Sequence, residues 1–405
     1  MALTGIQIFK LLPKTNCREC GEPTCLAFAM KLAAGKADLS LCPYVSDEAK
    51  AQLEEASAPP IVTVNIGVGD RALKVGGETV MFRHERRFEN PTGFAILISD
   101  TMDEAEVDAR LERFKLEYER VGLVLRPELV AIKCESGDAD KFAAVIDKIK
   151  QSSECSIILM SDNADILAAG LRVCADRKPL IYAATEENVG RVIDLAKESS
   201  CPVVAKAADV EKLAELTTKL TEAGVSEIVL DSGSRTLRKV YEDQVIIRSA
   251  PLTKQFRPLG FPTILFPCEM TDDPMKEGVI ASAFVVKYAG IIVLSDFQGE
   301  SLFPLLVERM NIYTDPQRPL ATTEGIYEIN NPDENSPVLI TTNFSLTYFI
   351  VSGEIENSRI PSYLLVQDTE GLSVLTSWAA GKFSADLIAP FIKKCGIVDK
   401  VKHRK

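Results

Sequence analysis

Histidine is nearly absent from this chain: 405 residues carry two, His84 and His403. That leaves little room for a Ser–His–Asp triad and none for a His-rich metal site. Phosphate-binding glycine motifs are missing too. The stretches "GVGD" and "GGET" match neither a dinucleotide fingerprint nor a P-loop, so hydride and phosphoryl transfer lose ground. Long apolar runs are scarce. The best window, "ASAFVVKYAGIIVLSDF", is broken by Lys287 and Asp296 before it reaches bilayer length. The start, "MALTGIQIFKLLPKTN", has no basic segment, apolar run and cleavage site in sequence. Excess positive charge is also lacking. A net charge of −12 argues against nucleic acid and against an anionic membrane surface. The expectation is a cytoplasmic protein.

What is present is cysteine. Six of the ten are scattered singly (Cys134, Cys155, Cys174, Cys201, Cys268, Cys395) and read as small buried apolar residues. The other four, Cys17, Cys20, Cys25 and Cys42, crowd into "NCRECGEPTCLAFAMKLAAGKADLSLCPY". Only one pair has the tight C-x2-C spacing, and the last thiol stands alone before Pro43. That arrangement favours a [4Fe–4S] cluster over structural zinc, with a disulfide pair third. Gly21 permits a tight turn after the second thiol. Cys25 falls where a helix should start and free N–H groups face an anionic sulfur.

Along the chain, residues 1–57 form a small unit. Thr4 and Gln7 fit a capping box ahead of a first helix, a second helix runs from Thr24 to Gly35, and a third starts at Ser46. "SAPPI" reads as a linker, and "IVTVNIGVGD" with "GGETVMFRHE" as a hairpin within 58–92. From 93 to 320 short apolar strands alternate with helical segments. The strands are "GFAILIS", "ELVAIK", "CSIILMS", "PLIYAA", "CPVVAKA", "SEIVLD", "FPTILF" and "AGIIVLS". Eight such units predict an α/β fold, a (β/α)8 TIM barrel, over an open doubly wound sheet with fewer units. The segment "DEAEVDARLERFKLEYERV" reads as one helix. Residues 321–405 read as a further, partial α/β unit, mostly strands with one good helix near its end.

Asp100, Asp162, Asp231 and Asp296 sit at strand ends, where barrel enzymes place working residues. An Asp there more often caps the next helix, and "DSGSRT" is a weak anion cradle. The barrel is therefore expected to be a scaffold, with no catalytic residue assigned.

"TNCRECGEPTCLAFAMKLAAGKA", "CPYVS", "RKPLIYAAT", "YTDPQRPL", "ENSPVLITTNFSLTYF" and "IPSYLLVQDTEGLSVLTSWAAGKF" occur in order along the whole chain. Together they resemble the large subunit of the corrinoid iron–sulfur protein, the γ-subunit family of the acetyl-CoA decarbonylase/synthase complex. The resemblance implies a [4Fe–4S] cluster on Cys17, Cys20, Cys25 and Cys42. It implies a TIM barrel that packs on a homologous small subunit, and a C-terminal Rossmann-like domain holding a corrinoid (cobamide). Contacts to the cobamide carried over by resemblance are Thr341, Thr342, Thr347, and Gly371, Leu372, Ser373, Val374, Leu375 and Thr376. The implied function is methyl carriage in the reductive acetyl-CoA (Wood–Ljungdahl) pathway. Methyl arrives from methyl-tetrahydrofolate through a methyltransferase and leaves to CO dehydrogenase/acetyl-CoA synthase, while the cluster, with a reductive activator protein, restores Co(II) to Co(I). Scarcity of His and absence of D-x-H suit a cobalt without a strong lower base.

The sequence departs from the family at Arg18, where Gly is common, and the family continues past the equivalent of Lys405, so a shortened C-terminal domain is expected. Two other functions fit the residues alone. One is an iron–sulfur electron carrier without corrinoid; the other is a pterin-binding barrel methyltransferase.

Overall fold

A computed structural model describes residues 5–33, 37–46, 49–50, 53, 59–316 and 319–404. Thr4, and most of the helix expected from Ser46, lie outside the described residues. Two helices, Gly5–Leu11 and Cys25–Ala33, pack on each other ahead of the linker. Two hairpins follow: β1 (Val64–Ile66) pairs with β2 (Leu73–Val75), and β4 (Tyr118–Arg120) with β5 (Leu123–Leu125).

Eight parallel strands carry the middle of the chain. They are β3 (Gly93–Ser99), β6 (Leu129–Lys133), β7 (Ser156–Met160), β8 (Leu180–Ala184), β9 (Val203–Lys206), β10 (Ile228–Asp231), β11 (Ile264–Leu265) and β12 (Ile291–Leu294). Each pairs with the next in chain order, and β12 returns to β3. The remaining gap is spanned by a parallel bridge between Leu230 and Thr263, where the Leu230 N–H donates to the Pro262 carbonyl at 2.8 Å. Every expected strand is present. The result is a nearly closed TIM-type barrel.

The apolar strands split by parity, as a period of two requires. Phe94, Ile96, Ile98, Val130 and Ile132 face the outer helices. Ala95, Leu129, Ala131, Ile158, Val204 and Val293 fill the lumen. The β1–β2 hairpin stops the bottom of that lumen with Val64, Ile66, Leu73 and Val75. Gly93 makes this possible, because a Cβ there would collide with Leu73 and Leu129. The expected partner "GGETVMFRHE" is not a strand; β1 turns back sooner, through left-handed Gly67 and Gly69.

That stretch instead straps the barrel. Glu78 and Arg248 form a buried ion pair at 3.0 Å, and the guanidinium also donates to the Val80 carbonyl and lies on the faces of Phe88 and Tyr288. Arg83 donates to the Asn311, Ile312 and Thr314 carbonyls, closing the end of helix Gly299–Ile312. The helix expected through "KLEYERV" stops at Phe114. Val121 and Gly122, both at positive φ, make the two-residue turn that commits the flanking residues to β4 and β5.

The last unit holds β13 (Gly325–Ile329), β14 (Val338–Thr342) and β15 (Ser362–Gln367) in spatial order 13-15-14. β14 and β15 are parallel and joined by helix Ser345–Ser358; β13 runs antiparallel on the other side of β15. The segment "SLTYFIVSGEI" was expected to be strand from its β-branched and aromatic residues. It is helical because a crossover between parallel strands needs one, and tertiary placement overrides weak propensity. Helices Val374–Ala379 and Ala385–Lys394 complete the unit.

Replacing Arg248 with Met strands a buried carboxylate and should destabilise the barrel by about 3–5 kcal/mol in denaturant unfolding. Adding Glu78→Gln should recover a large part of that loss, because the unpaired charge goes with it.

Candidate cofactor sites

The four clustered thiols lie in the N-terminal helix pair. Cys25 opens the second helix, fixed by Thr24, whose Oγ1 accepts from the Ala27 N–H at 3.1 Å. Cys25 is buried beside Ile8, Leu12, Phe28 and Ala29; Cys20 and Cys42 border the same core, and Cys17 is exposed. Sequence reasoning missed Asn16. Its Oδ1 accepts from the Cys25 N–H at 2.8 Å, while its own N–H points at the Cys25 sulfur at 3.3 Å. The only prior signal was its type, since Asn tolerates the left-handed region it adopts.

Lys14, Asn16, Arg18 and Gly21 all have positive φ, so the loop carrying Cys17 and Cys20 is wound in the left-handed sense at four points. Such loops expose backbone N–H groups on one side, which suits an anion. Arg18 at φ 68° occupies a conformation that glycine adopts freely. Among the described residues, no three His, Cys, Asp or Glu side chains converge as a ready metal site. A ligand set of four thiols rarely gathers before the metal arrives, because binding and local folding are one event.

The barrel cysteines behave differently. Burial pushes the Cys155 thiol up to about 11, and those of Cys174 and Cys268 up to about 12. They stay protonated at neutral pH and serve as packing.

The barrel mouth is occupied by its own pairings. Arg235 grips Asp231 with two N–H groups at 2.9 and 3.0 Å, also reaches Glu269, and stacks on Phe266. The Tyr182 hydroxyl donates to Asp231 at 2.7 Å; burial first, then that carboxylate, pushes the phenol well above its ordinary value. Lys206 pairs with Asp162, and Arg113 with Asp296. Asp100 accepts from the Ser136 hydroxyl at 2.6 Å and from the Glu135 and Ser136 N–H groups. None of the four strand-end aspartates caps a helix as expected. The caps fall on Asp103, Asn163, Thr236 and Gln298; Asp100, Asp162 and Asp231 instead join neighbouring strand ends and βα loops, and Asp296 holds the first barrel helix through Arg113.

The third location is the carboxyl end of β14 and β15, where open α/β sheets take ligands. Thr341 and Thr342 close β14; Thr347 lies half-buried in the first turn of the following helix. Gly371 to Ser373 form the turn after β15, and Val374, Leu375 and Thr376 open the next helix. The topology thus places all nine resemblance-derived positions at one end of the sheet. Gly371, at φ 75°, has the Pro319 carbonyl where a Cβ would go.

Asn343, which sequence reasoning passed over, organises this turn. Its Oδ1 accepts from the Thr369 N–H, the Thr369 hydroxyl and the Gly371 N–H at 3.0–3.1 Å; its Nδ2 donates to Asp368 at 2.8 Å. Only burial, invisible in sequence, separates it from an ordinary loop Asn.

Among the described residues, five buried side-chain atoms lack a hydrogen-bond partner: Glu89 Oε1, Arg110 Nε, Thr341 Oγ1, Thr342 Oγ1 and Gln367 Oε1. Three of the five fall together at the carboxyl end of β14 and β15. Each such orphan costs about 1–3 kcal/mol. A concentration of them marks a place built for something that pairs with it.

Two outcomes check this geometry. Burial opposes ionisation of Asp100, but the Ser136 and Glu135 hydrogen bonds hold its pKa below the usual 3.8. Its stabilisation is therefore complete above that pH and fades as pH falls through the lowered folded value, so the stability gap between wild type and Asp100→Asn should narrow in acid melts. Asn343→Ala should release the Thr369 and Gly371 amides, raising their hydrogen exchange while leaving barrel amides unchanged.

Comparison with known proteins gives a consistent picture. A family profile described as CO dehydrogenase/acetyl-CoA synthase delta subunit matches residues 63–405, and one described as putative Fe-S cluster matches residues 12–44. The corrinoid/iron-sulfur protein large subunit of Moorella thermoacetica is 45% identical over 406 residues, covering 100% of this chain and 91% of its own. The acetyl-CoA decarbonylase/synthase complex subunit gamma of Methanopyrus kandleri is 39% identical, covering 99% and 89%. That of Methanothermobacter thermautotrophicus is 34% identical, covering 100% and 91%. Among solved structures, the dihydropteroate synthase of Vibrio fischeri superposes with a TM-score of 0.42 at 15% identity, covering 62% of this chain and 99% of that one, too distant to bear on function.

Proposed function

The chain belongs to the family of corrinoid/iron–sulfur protein large subunits, the γ subunits of acetyl-CoA decarbonylase/synthase complexes, and from that premise we propose how its parts divide the task. It is a methyl-carrier component of the acetyl-CoA pathway. Residues 1–57 are the [4Fe–4S] domain, 58–92 the linker and strap, 93–320 the barrel, and 321–405 the corrinoid domain. When bound, the corrinoid supplies a cobalt centre that carries the methyl group, and the cluster supplies single electrons at low potential.

Cys17, Cys20, Cys25 and Cys42 hold the cluster. Asn16 and the left-handed loop around it aim N–H groups at the sulfur side, which favours the anionic assembly. At the other end of the chain Thr341, Thr342, Thr347 and the 371–376 segment hold the corrinoid. Small side chains let a flat ring approach, Gly371 lets the turn pack against the Pro319 carbonyl, and Asn343 keeps that backbone in place. The observation that carries this reading is the trio of unanswered buried polar atoms at Thr341, Thr342 and Gln367.

The C-terminal histidine lies at the opposite end of the sheet from the residues that would hold the corrinoid. His403 Nε2 meets the Ser336 carbonyl at 2.8 Å, ahead of the first residue of β14. The site lies past Thr342, the last residue of that strand, about 20 Å from Ser336 at 3.3 Å per residue. The barrel, whose mouth residues satisfy one another, acts as a rigid frame. Its outer helices offer the surface for a small corrinoid iron–sulfur subunit, and the assembly meets the methyltransferase, CO dehydrogenase/acetyl-CoA synthase and a reductive activator in turn. Among the described residues no helix is long and apolar enough to cross a membrane.

Anaerobically purified protein should contain close to four irons per chain by metal analysis, lost when any one of the four N-terminal cysteines becomes serine. Zinc in their place would overturn the cluster. Arg18→Gly should relieve about 1 kcal/mol of left-handed backbone strain and slow iron loss to a chelator, read from the decay of cluster absorbance.

A further inference from the structure

We propose that Gln367, paired with Thr342, is a binding residue for the carboxamide fringe of the corrin ring, an inference that rests on the corrinoid reading above. Thr342 and Gln367 are registered partners at the last position of β14 and β15. Registered residues of a parallel pair project to the same side of the sheet. That side is the one on which Val338, Ile340, Tyr363 and Leu365 pack with Phe391. The two polar groups therefore stand at the rim of an apolar layer, at the end where ligands enter. Both residues are more than nine-tenths buried, and Gln367 Oε1 and Thr342 Oγ1 are both without a partner.

The chemistry of the pair selects its ligand. Gln367 Oε1 accepts a hydrogen bond; the Thr342 hydroxyl can donate one. An acceptor beside a donor is the complement of a primary carboxamide, with N–H2 facing Gln367 and C=O facing Thr342. The corrin periphery carries several such groups. A phosphate, found only in the nucleotide tail, fits poorly. The adjoining charge is the Asp368 carboxylate, held by Asn343, and the nearby Lys382 is already paired with Glu370. Thr341, one residue earlier, projects to the opposite side of the sheet, so its unpartnered hydroxyl is not part of this pair.

The sequence contains a single tryptophan, Trp378, and it lies exposed in helix Val374–Ala379 beside this turn. Corrin absorption overlaps tryptophan emission, so quenching of Trp378 reads binding directly. The full chain with its cluster in place should be titrated with aquocobalamin and with cobinamide, which lacks the nucleotide tail but keeps the ring carboxamides. Gln367→Met and Thr342→Val should each weaken both ligands about 3- to 10-fold, as expected for one lost neutral hydrogen bond. Without ligand, each variant should melt at the same temperature as wild type or higher, because a buried orphan has been removed. A purely structural role would lower the melting temperature instead.

Unchanged affinity for both ligands overturns the inference while leaving the corrinoid reading intact. Weakening confined to aquocobalamin overturns it as well, by assigning the pair to the tail. Absence of quenching in the wild-type chain, also with the small subunit present, overturns the corrinoid reading and this inference together.

Discussion

Closure of the parallel barrel is the constraint on which the other parts depend. Eight strands pair in chain order, and the weak point between β10 and β11 is sealed by the backbone of Leu230 against Pro262 and Thr263. With no open edge, the backbone is satisfied from within and the lumen must be filled by side chains. The β1–β2 hairpin completes that filling from below, and Arg248 with Glu78 holds the strap that follows it. The charged groups at its mouth are paired with one another. Even its strand-end aspartates are spent on neighbouring loops and on the first barrel helix.

The two ends of the chain are built on the opposite plan. At the N-terminus a loop wound through four left-handed residues presents cysteines around one small core. At the C-terminus, β14 and β15 end in buried hydroxyl and carboxamide groups with nothing to bind. Both arrangements are costly for an isolated chain, and both are what the proposed cofactors would relieve. Stability is thus concentrated in the middle, and binding capacity at the ends. A component of a multi-subunit complex benefits from this division, since its ends can change without disturbing the frame.

Charge follows the same separation. In the mouth, Arg235, Asp231, Tyr182 and Glu269 form a closed network of hydrogen bonds and ion pairs. At the carboxyl end of β14 and β15 the strand-end side chains are uncharged; in the turn beyond them Asp368 is held by Asn343, and Glu370 pairs with Lys382.

Sequence alone determined the eight barrel strands, because residues buried on both faces must be apolar throughout and their spacing leaves one closed arrangement. It also determined the four thiols, since clustering of a rare, reactive residue is visible without coordinates. The nine positions proposed for the corrinoid come only from resemblance, because Thr and Gly at strand ends look ordinary. Tertiary structure decided what local pattern could not. It made "SLTYFIVSGEI" a crossover helix and ended the first barrel helix at Phe114. It turned Asp100 and Asp231 into loop ties, and brought Asn16, Asn343 and Gln367 to positions where a polar side chain matters. The physical reason is common to these cases. Burial and hydrogen-bond partnership are properties of segments far apart in the chain, and an Asn or Gln carries no local mark of which partner it will meet, or lack.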